Sequence, residues 1–207
     1  LAATAHLGQT IGERDLLTFD MGGTSTDVAL IQGRPGVTDE GWIGPYPIAI
    51  PMADIHTIGA GGGSVAYLDT AGAMHVGPRS AGASPGPACY GRLGGTLTLQ
   101  PERAHRALGR IAHPLGISTD QAAAGVIAIA NQHMAQALGV ISLERGHDPR
   151  RFTLVCFGGA GGLHVCALAR ALQVRHVVVP ARSGVFSALG MLVADRSRQL
   201  IKTVNRS

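Results

Sequence analysis

Asp20 and Asp27 bracket the segment DMGGTSTD, in which Gly22-Gly23 is followed by the hydroxyls of Thr24, Ser25 and Thr26. Glycine has no Cβ, so the N–H groups of Gly22 and Gly23 can come close to an anion, with the hydroxyls of Thr24 and Ser25 beside it. This is a phosphate-loop pattern. It is not the lysine-bearing kind, because no G-x-x-x-x-G-K-S/T segment occurs in the chain. A second turn, IGAGGGS, sets consecutive glycines at 61–63. Such a run is costly inside a regular element, so backbone there meets backbone or a ligand. The third, FGGAGGLH at 157–164, follows an apolar run and opens a helix. The free N–H groups of a helix start suit an anion or a nucleotide, although close packing of a helix on a strand also selects glycine.

Strands must hold these turns. Leu16–Asp20 and Asp27–Gln32 read as two strands joined by the double-glycine turn, after a helix end over 1–11. Ile48-Ala49-Ile50 and Ile55 are short strand signals. Val65–Leu68 and Ala73–Val76 read as a hairpin around Asp69-Thr70-Ala71-Gly72. The segment 77–95 is rich in Gly, Pro and Ser, yet Cys89 and Tyr90 within it favour an ordered, packed loop. Pro101 starts a helix with Ala104, Leu108 and Ile111 on one face. Ser118 and Gln121 form a capping-box signature for a second helix running to about Arg145, its apolar stripe being Ala124, Ile127, Met134, Leu138 and Ile141. FTLVCF is a buried strand, Val174–Val179 another, and Ser183–Leu192 a small-residue helix. The expected organisation is one domain over 1–207, strand- and loop-rich over 12–100, helical over 101–150, and strand, glycine turn and helix over 151–207.

Of 207 residues, 45% are apolar, enough for a core, while only 14% are charged and 30 are glycine. So few charges predict that a partner or further sequence covers part of the surface. The net charge of +4 is scattered, with Arg150-Arg151 and the tail from Arg196 to Arg206 the densest spots. Without a basic stripe interleaved with aromatics, nucleic acid is not an expected partner. Cys89, Cys156 and Cys166 are odd in number and widely spaced, which predicts a reducing, cytoplasmic setting. Apolar stretches broken within about a dozen residues predict no membrane span. The first residues carry no signal-peptide pattern and read as a helix already under way, so the chain is expected to be a fragment or subunit.

LLTFDMGGTSTDVALI, PMADIHTIGAGGGSVAYLD, GPRSAGASPGPACYGR, the stretch from QAAAGVIAIANQHMAQALGV through FGGAGGLHVCALA, and VPARSGVFSALGMLVAD follow one another in this chain. In that order they resemble the hydantoinase A / 5-oxoprolinase / acetone carboxylase β-subunit family over nearly the whole length. The resemblance implies an α/β fold, an actin-like (ribonuclease H-like) ATPase lobe with a mixed sheet flanked by helices. An N-terminal lobe bearing a DxGGTxTD-like loop would complete it. It implies ATP with Mg²⁺ as cofactors and ATP-driven opening of a small cyclic amide such as hydantoin, N-methylhydantoin or 5-oxoproline. The ATP-using β-subunit of an acetone-type carboxylase and a catalytically incomplete nucleotide-binding module are the alternatives. A hydantoinase B-type subunit and an oligomeric assembly are the implied protein partners. Three departures from the family pattern stand out: no DxGGTxTD-like loop precedes the first motif, Arg92 runs directly into LGGTLTL, and Gly162 stands where proline is common.

Under that resemblance Asp20 serves Mg²⁺ through water, Asp27 positions the shell, and Gly22, Gly23, Thr24 and Ser25 cradle phosphate. Gly61 and Gly62 contact the nucleotide, and Gly158, Gly159, Ala160 and Gly161 lie near the adenosine. Asp54 and His56 share one side of an extended segment, and with His164 they make either a set for a second divalent metal or acid–base chemistry, or a polar cluster tying two loops. His56 is accordingly grouped with Asp20 and Asp27 as catalytic. Cys89, flanked by Arg79 and Arg92, is either an activated thiol or a packed one. His147 reads as a surface-turn residue, the other histidines as lacking partners, and Met134 and Met191 as core.

Overall fold

In a computed structural model that describes residues 1–90 and 99–195, a mixed five-stranded sheet is built around one hairpin. Its strands are β1 (Asp15–Met21) and β2 (Thr26–Gln32), paired from Asp15 with Gln32 to Met21 with Thr26. The junction at Arg92 and the basic tail from Arg196 lie outside the described residues. Short strands follow as β3 (Val37–Thr38), β4 (Gly41–Ile43), β5 (Tyr46–Ile48), β6 (Met52–Ala53) and β7 (His56–Ile58). A hairpin of β8 (Ser64–Leu68) and β9 (Met74–Ser80) comes next, and β10 (Thr153–Phe157) and β11 (His176–Val178) complete the set. The sheet order is β11-β10-β1-β2-β7, with β1, β10 and β11 parallel and β2 antiparallel to both its neighbours.

Alternation along β1 sorts the side chains into two layers. Leu17, Phe19 and Met21 face α3 (Thr119–Ile141) and α4 (Val165–Leu172). Leu16 points the other way, into a cluster with Ala3 of α1 (Ala2–Ile11) and Phe186 of α5 (Phe186–Val193). Leu16, Leu17, Phe19 and Met21 are each no more than 1% exposed, and burying such side chains contributes about 1.5–3 kcal/mol apiece. Helices on both faces of a mixed sheet are the α/β lobe expected. Ile48 lies in β5, but Ala49, Ile50 and Ile55 fall outside the strands.

The capping box forms as expected: the Gln121 N–H donates to Ser118 Oγ at 3.1 Å and the Ser118 N–H donates to Gln121 Oε1 at 2.9 Å. Ser118→Ala is therefore expected to cost about 1 kcal/mol, measured by urea unfolding. The stripe of α3 is displaced at its start. Ala122 is buried while Ala124 is exposed, because α2 (Pro101–Leu115) packs on that end and turns Ala122 toward Ile111. With the following turn to Arg145, α3 is long and apolar enough by length and composition to cross a bilayer, contrary to the expectation. On this helix Met134, Ala137, Leu138 and Ile141 are buried in the layer beneath the sheet, and Gln132, His133 and Gln136 are exposed. Met191 corrects another expectation. It is 83% exposed on α5, whose buried residues are Phe186 and Gly190.

Candidate functional site

Strands β1, β7 and β10 run in one direction, so their C-terminal ends share one edge of the sheet. All three glycine turns emerge there. The Gly62 and Gly63 N–H groups donate to the carbonyls of Gly22 (3.0 Å) and Gly23 (2.7 Å), and the Ala160 N–H donates to the Met21 carbonyl (3.0 Å). A Cβ at Gly61 would lie 2.6 Å from Thr24 N, and one at Gly62 would lie 3.3 Å from the Ala160 Cβ. Glycine at 61 and 63 is thus explained by backbone meeting backbone, and at 62 by the methyl of Ala160. Gly161 packs as tightly: its Cβ would fall 2.7 Å from Sγ of Cys156, a buried thiol whose pKa burial pushes up to about 11.

The double-glycine turn itself differs from the expectation in one respect. The Gly22 N–H is turned inward, donating to the Ser25 carbonyl at 3.0 Å to close the hairpin. Among the described residues no acceptor meets the N–H groups of Gly23, Thr24 or Ser25. Gly23 and Thr24 are exposed, so the donors without a protein acceptor begin one residue further along the turn. Gly159 is exposed beside them, at the end of β10.

Asp20 and Asp27 are directly opposed across the hairpin, which sets their Cβ atoms about 5 Å apart on the α5 side of the sheet. Each carboxylate is held by a hydroxyl from another element. Ser187 Oγ of α5 donates to Asp20 Oδ2 at 3.1 Å, and Thr57 Oγ1 of β7 donates to Asp27 Oδ1 at 2.6 Å. Burial pushes the Asp20 carboxyl above its usual range; the Ser187 hydrogen bond opposes this and the charge of Asp27 adds to it. Two opposed carboxylates beside free backbone donors suit a hard, hydrated cation that shares its shell with phosphate. Sequence reasoning missed both hydroxyls. Thr57 was within reach, since alternation from His56 puts it on the opposite face, whereas no local signal marks Ser187.

The expected Asp54, His56 and His164 set is not assembled. Among the described residues, no three His, Cys, Asp or Glu side chains lie close enough to hold a metal ion. Asp54 sits between β6 and β7, where its carboxylate pairs with Arg145. His56 is opposed to Val28, a residue of the α3 layer, so the sheet separates it from Asp20 and Asp27. It lines a different cleft with His75 and His133. His75 has partners after all, with Nε2 2.8 Å from Asp69 Oδ2 and its ring stacked on Tyr67. His147 is half-buried, edge-on to Phe152.

His164 is 4% exposed, with Nδ1 2.7 Å from Asn131 Oδ1. Burial lowers its pKa, so the folded chain holds it neutral at pH values where the unfolded chain binds a proton. Its contribution is intact above the unfolded value near 6.5 and is lost as pH falls through the lower, folded value. Chemical denaturation at pH 7.5 and 5.5 should therefore show an acid loss of stability that His164→Gln reduces.

The family model for hydantoinase/oxoprolinase matches residues 1–99 and 93–200. The chain belongs to this family. Caprolactamase subunit alpha of Pseudomonas jessenii is 39% identical over 213 residues, covering 91% of this chain and 31% of that protein. 5-oxoprolinase 1 of Arabidopsis thaliana is 35% identical over 222 residues, covering 88% of this chain and 17% of its own length. The crystal structure of the ATP-dependent caprolactamase from Pseudomonas jessenii superposes with a TM-score of 0.83 at 38% identity, over 91% of this chain and 31% of the other. A nucleotide-free acetone carboxylase structure, from work on ATP-dependent acetone carboxylation, gives a TM-score of 0.83 at 31% identity, over 91% of this chain and 30% of the other. The chain thus spans about a third or less of these hydantoinase/oxoprolinase relatives.

Proposed function

We propose that this chain is the nucleotide-binding part of an ATP-dependent cyclic amidohydrolase acting on a hydantoin, 5-oxoproline or a related lactam. The observation that carries the reading is the convergence of the three glycine turns at the sheet edge beside the opposed carboxylates Asp20 and Asp27. The N–H groups of Gly23, Thr24 and Ser25 bind phosphate oxygens. Asp20 and Asp27, fixed by Ser187 and Thr57, orient a hydrated Mg²⁺, which when bound offsets phosphate charge. Gly159 and Ala160 border the nucleotide.

An amide carbonyl is a poor electrophile, and phosphorylating its oxygen gives it a good leaving group. The bond from the γ-phosphorus to ADP breaks as one to the carbonyl oxygen forms. Water then adds to the carbon, the ring C–N bond opens to leave a free amine and an acyl phosphate, and a second water cleaves the acyl phosphate to carboxylate and inorganic phosphate. The chain's residues contribute alignment and charge stabilisation along this path. The rest of the clamp is supplied by a further lobe and a hydantoinase B-type subunit, in a cytoplasmic assembly.

Supplying 5-oxoproline, hydantoin or caprolactam to the intact protein with Mg²⁺ and ATP should release ADP in proportion to ring-opened product. ADP release that instead requires a ketone and bicarbonate would favour a carboxylase subunit, a reading supported by the equal TM-score of the acetone carboxylase structure. The higher identity of the caprolactamase favours the amidohydrolase.

A further inference from the structure

The turn at 61–63 has two sides. One is bonded to the phosphate turn; the other, Gly62-Gly63-Ser64, forms the floor of a cleft of about 650 Å³ between β8 and α2. That volume suits a small organic molecule. Val65 and Ala66 form one wall, and Ala104, Leu108 and Ile111, spaced along one face of α2, form the other. The loop 85–89 closes the side and brings Cys89 to the lining. Arg103 and Arg110, two turns apart on α2, are the charged residues of the lining, and no aspartate or glutamate is among the described residues there.

We propose that this cleft seats a small cyclic amide bearing a carboxylate, with its ring against the apolar walls and its carboxylate at Arg103 and Arg110. The assignment rests on the amidohydrolase reading for the ligand's identity as an amide, while the carboxylate preference comes from the two arginines, which face no aspartate or glutamate among the described lining residues. A guanidinium recognises a carboxylate through charge-assisted, often paired hydrogen bonds. The floor places such an occupant one backbone layer from the donors of Gly23 and Thr24.

Cys89 makes the cleft measurable, because an occupant shields its thiol from alkylation. Exposed Cys166 is the internal control, and buried Cys156 stays unlabelled while the fold is intact. With the intact protein and residue-resolved mass spectrometry, 5-oxoproline should slow labelling of Cys89 and leave Cys166 unchanged. The same ring without its carboxylate, 2-pyrrolidinone, should need about tenfold more for equal protection. Arg103→Ala combined with Arg110→Ala should remove that tenfold difference, and Leu108→Trp, which fills the cleft, should abolish protection. Cys89 labelled at the free rate under 5-oxoproline concentrations that saturate turnover would overturn the site and leave the amidohydrolase reading standing. Equal protection by both compounds in the unmutated protein would overturn the role of the arginines. Protection that follows this pattern without amide-dependent ADP release would support the site and remove the amidohydrolase reading.

Discussion

Asp20→Asn in the intact protein is expected to lower kcat/KM for Mg·ATP by about 10²–10³-fold, the range typical of removing one preorganised charge-stabilising group. Asparagine keeps the size of the side chain and an oxygen that can accept from Ser187 Oγ. What it removes is negative charge at the point where Asp20 faces Asp27. Burial and the charge of Asp27 raise the Asp20 pKa against the opposing Ser187 hydrogen bond, so two ionised carboxylates there repel and a bound cation would relieve the repulsion. The loss should therefore appear in Mg²⁺-dependent nucleotide affinity by calorimetry as well as in turnover, while the melting temperature holds or rises. Unchanged affinity would remove Asp20 from the site.

Gly158→Ala should instead act on the fold. Gly158 has φ of +85°, a conformation that costs a residue with a Cβ about 1–2 kcal/mol. The added methyl would also press on the Met21 carbonyl and lie 2.6 Å from Asp20 Oδ1, an overpacking cost of about 1–3 kcal/mol. A combined loss of about 3 kcal/mol corresponds to a fall of roughly 6–12 °C in melting temperature, measurable by calorimetry. Gly159→Ala is the control, since nothing lies within 4 Å of its Cβ position. Equal melting temperatures for the two variants would contradict this account of the turn.

The two variants also mark what was legible in the chain. The strands around DMGGTSTD, the capping box at Ser118 and the special status of each glycine turn follow from local alternation and from glycine's missing Cβ. Why Gly61 is glycine is a tertiary matter: the backbone of Thr24 lies against it. The partner of Asp20 is Ser187, 167 residues away, and nothing local to FSALG announces that contact. His56 lies apart from the acid pair because the face it occupies depends on its register with Val28, and one step of alternation separates it from Thr57, which does reach the pair. The partner of Asp54 is equally remote: its carboxylate pairs with Arg145, 91 residues on. Long-range pairing decides such roles, and spacing within one segment does not.

The most direct test of the central claim is a crystal structure of the intact protein with Mg²⁺ and a nonhydrolysable ATP analogue. Phosphate oxygens within about 3 Å of the Gly23, Thr24 or Ser25 nitrogens, with the cation's water shell on Asp20 and Asp27, are the predicted result. A nucleotide bound elsewhere, with those three N–H groups facing solvent, would contradict it.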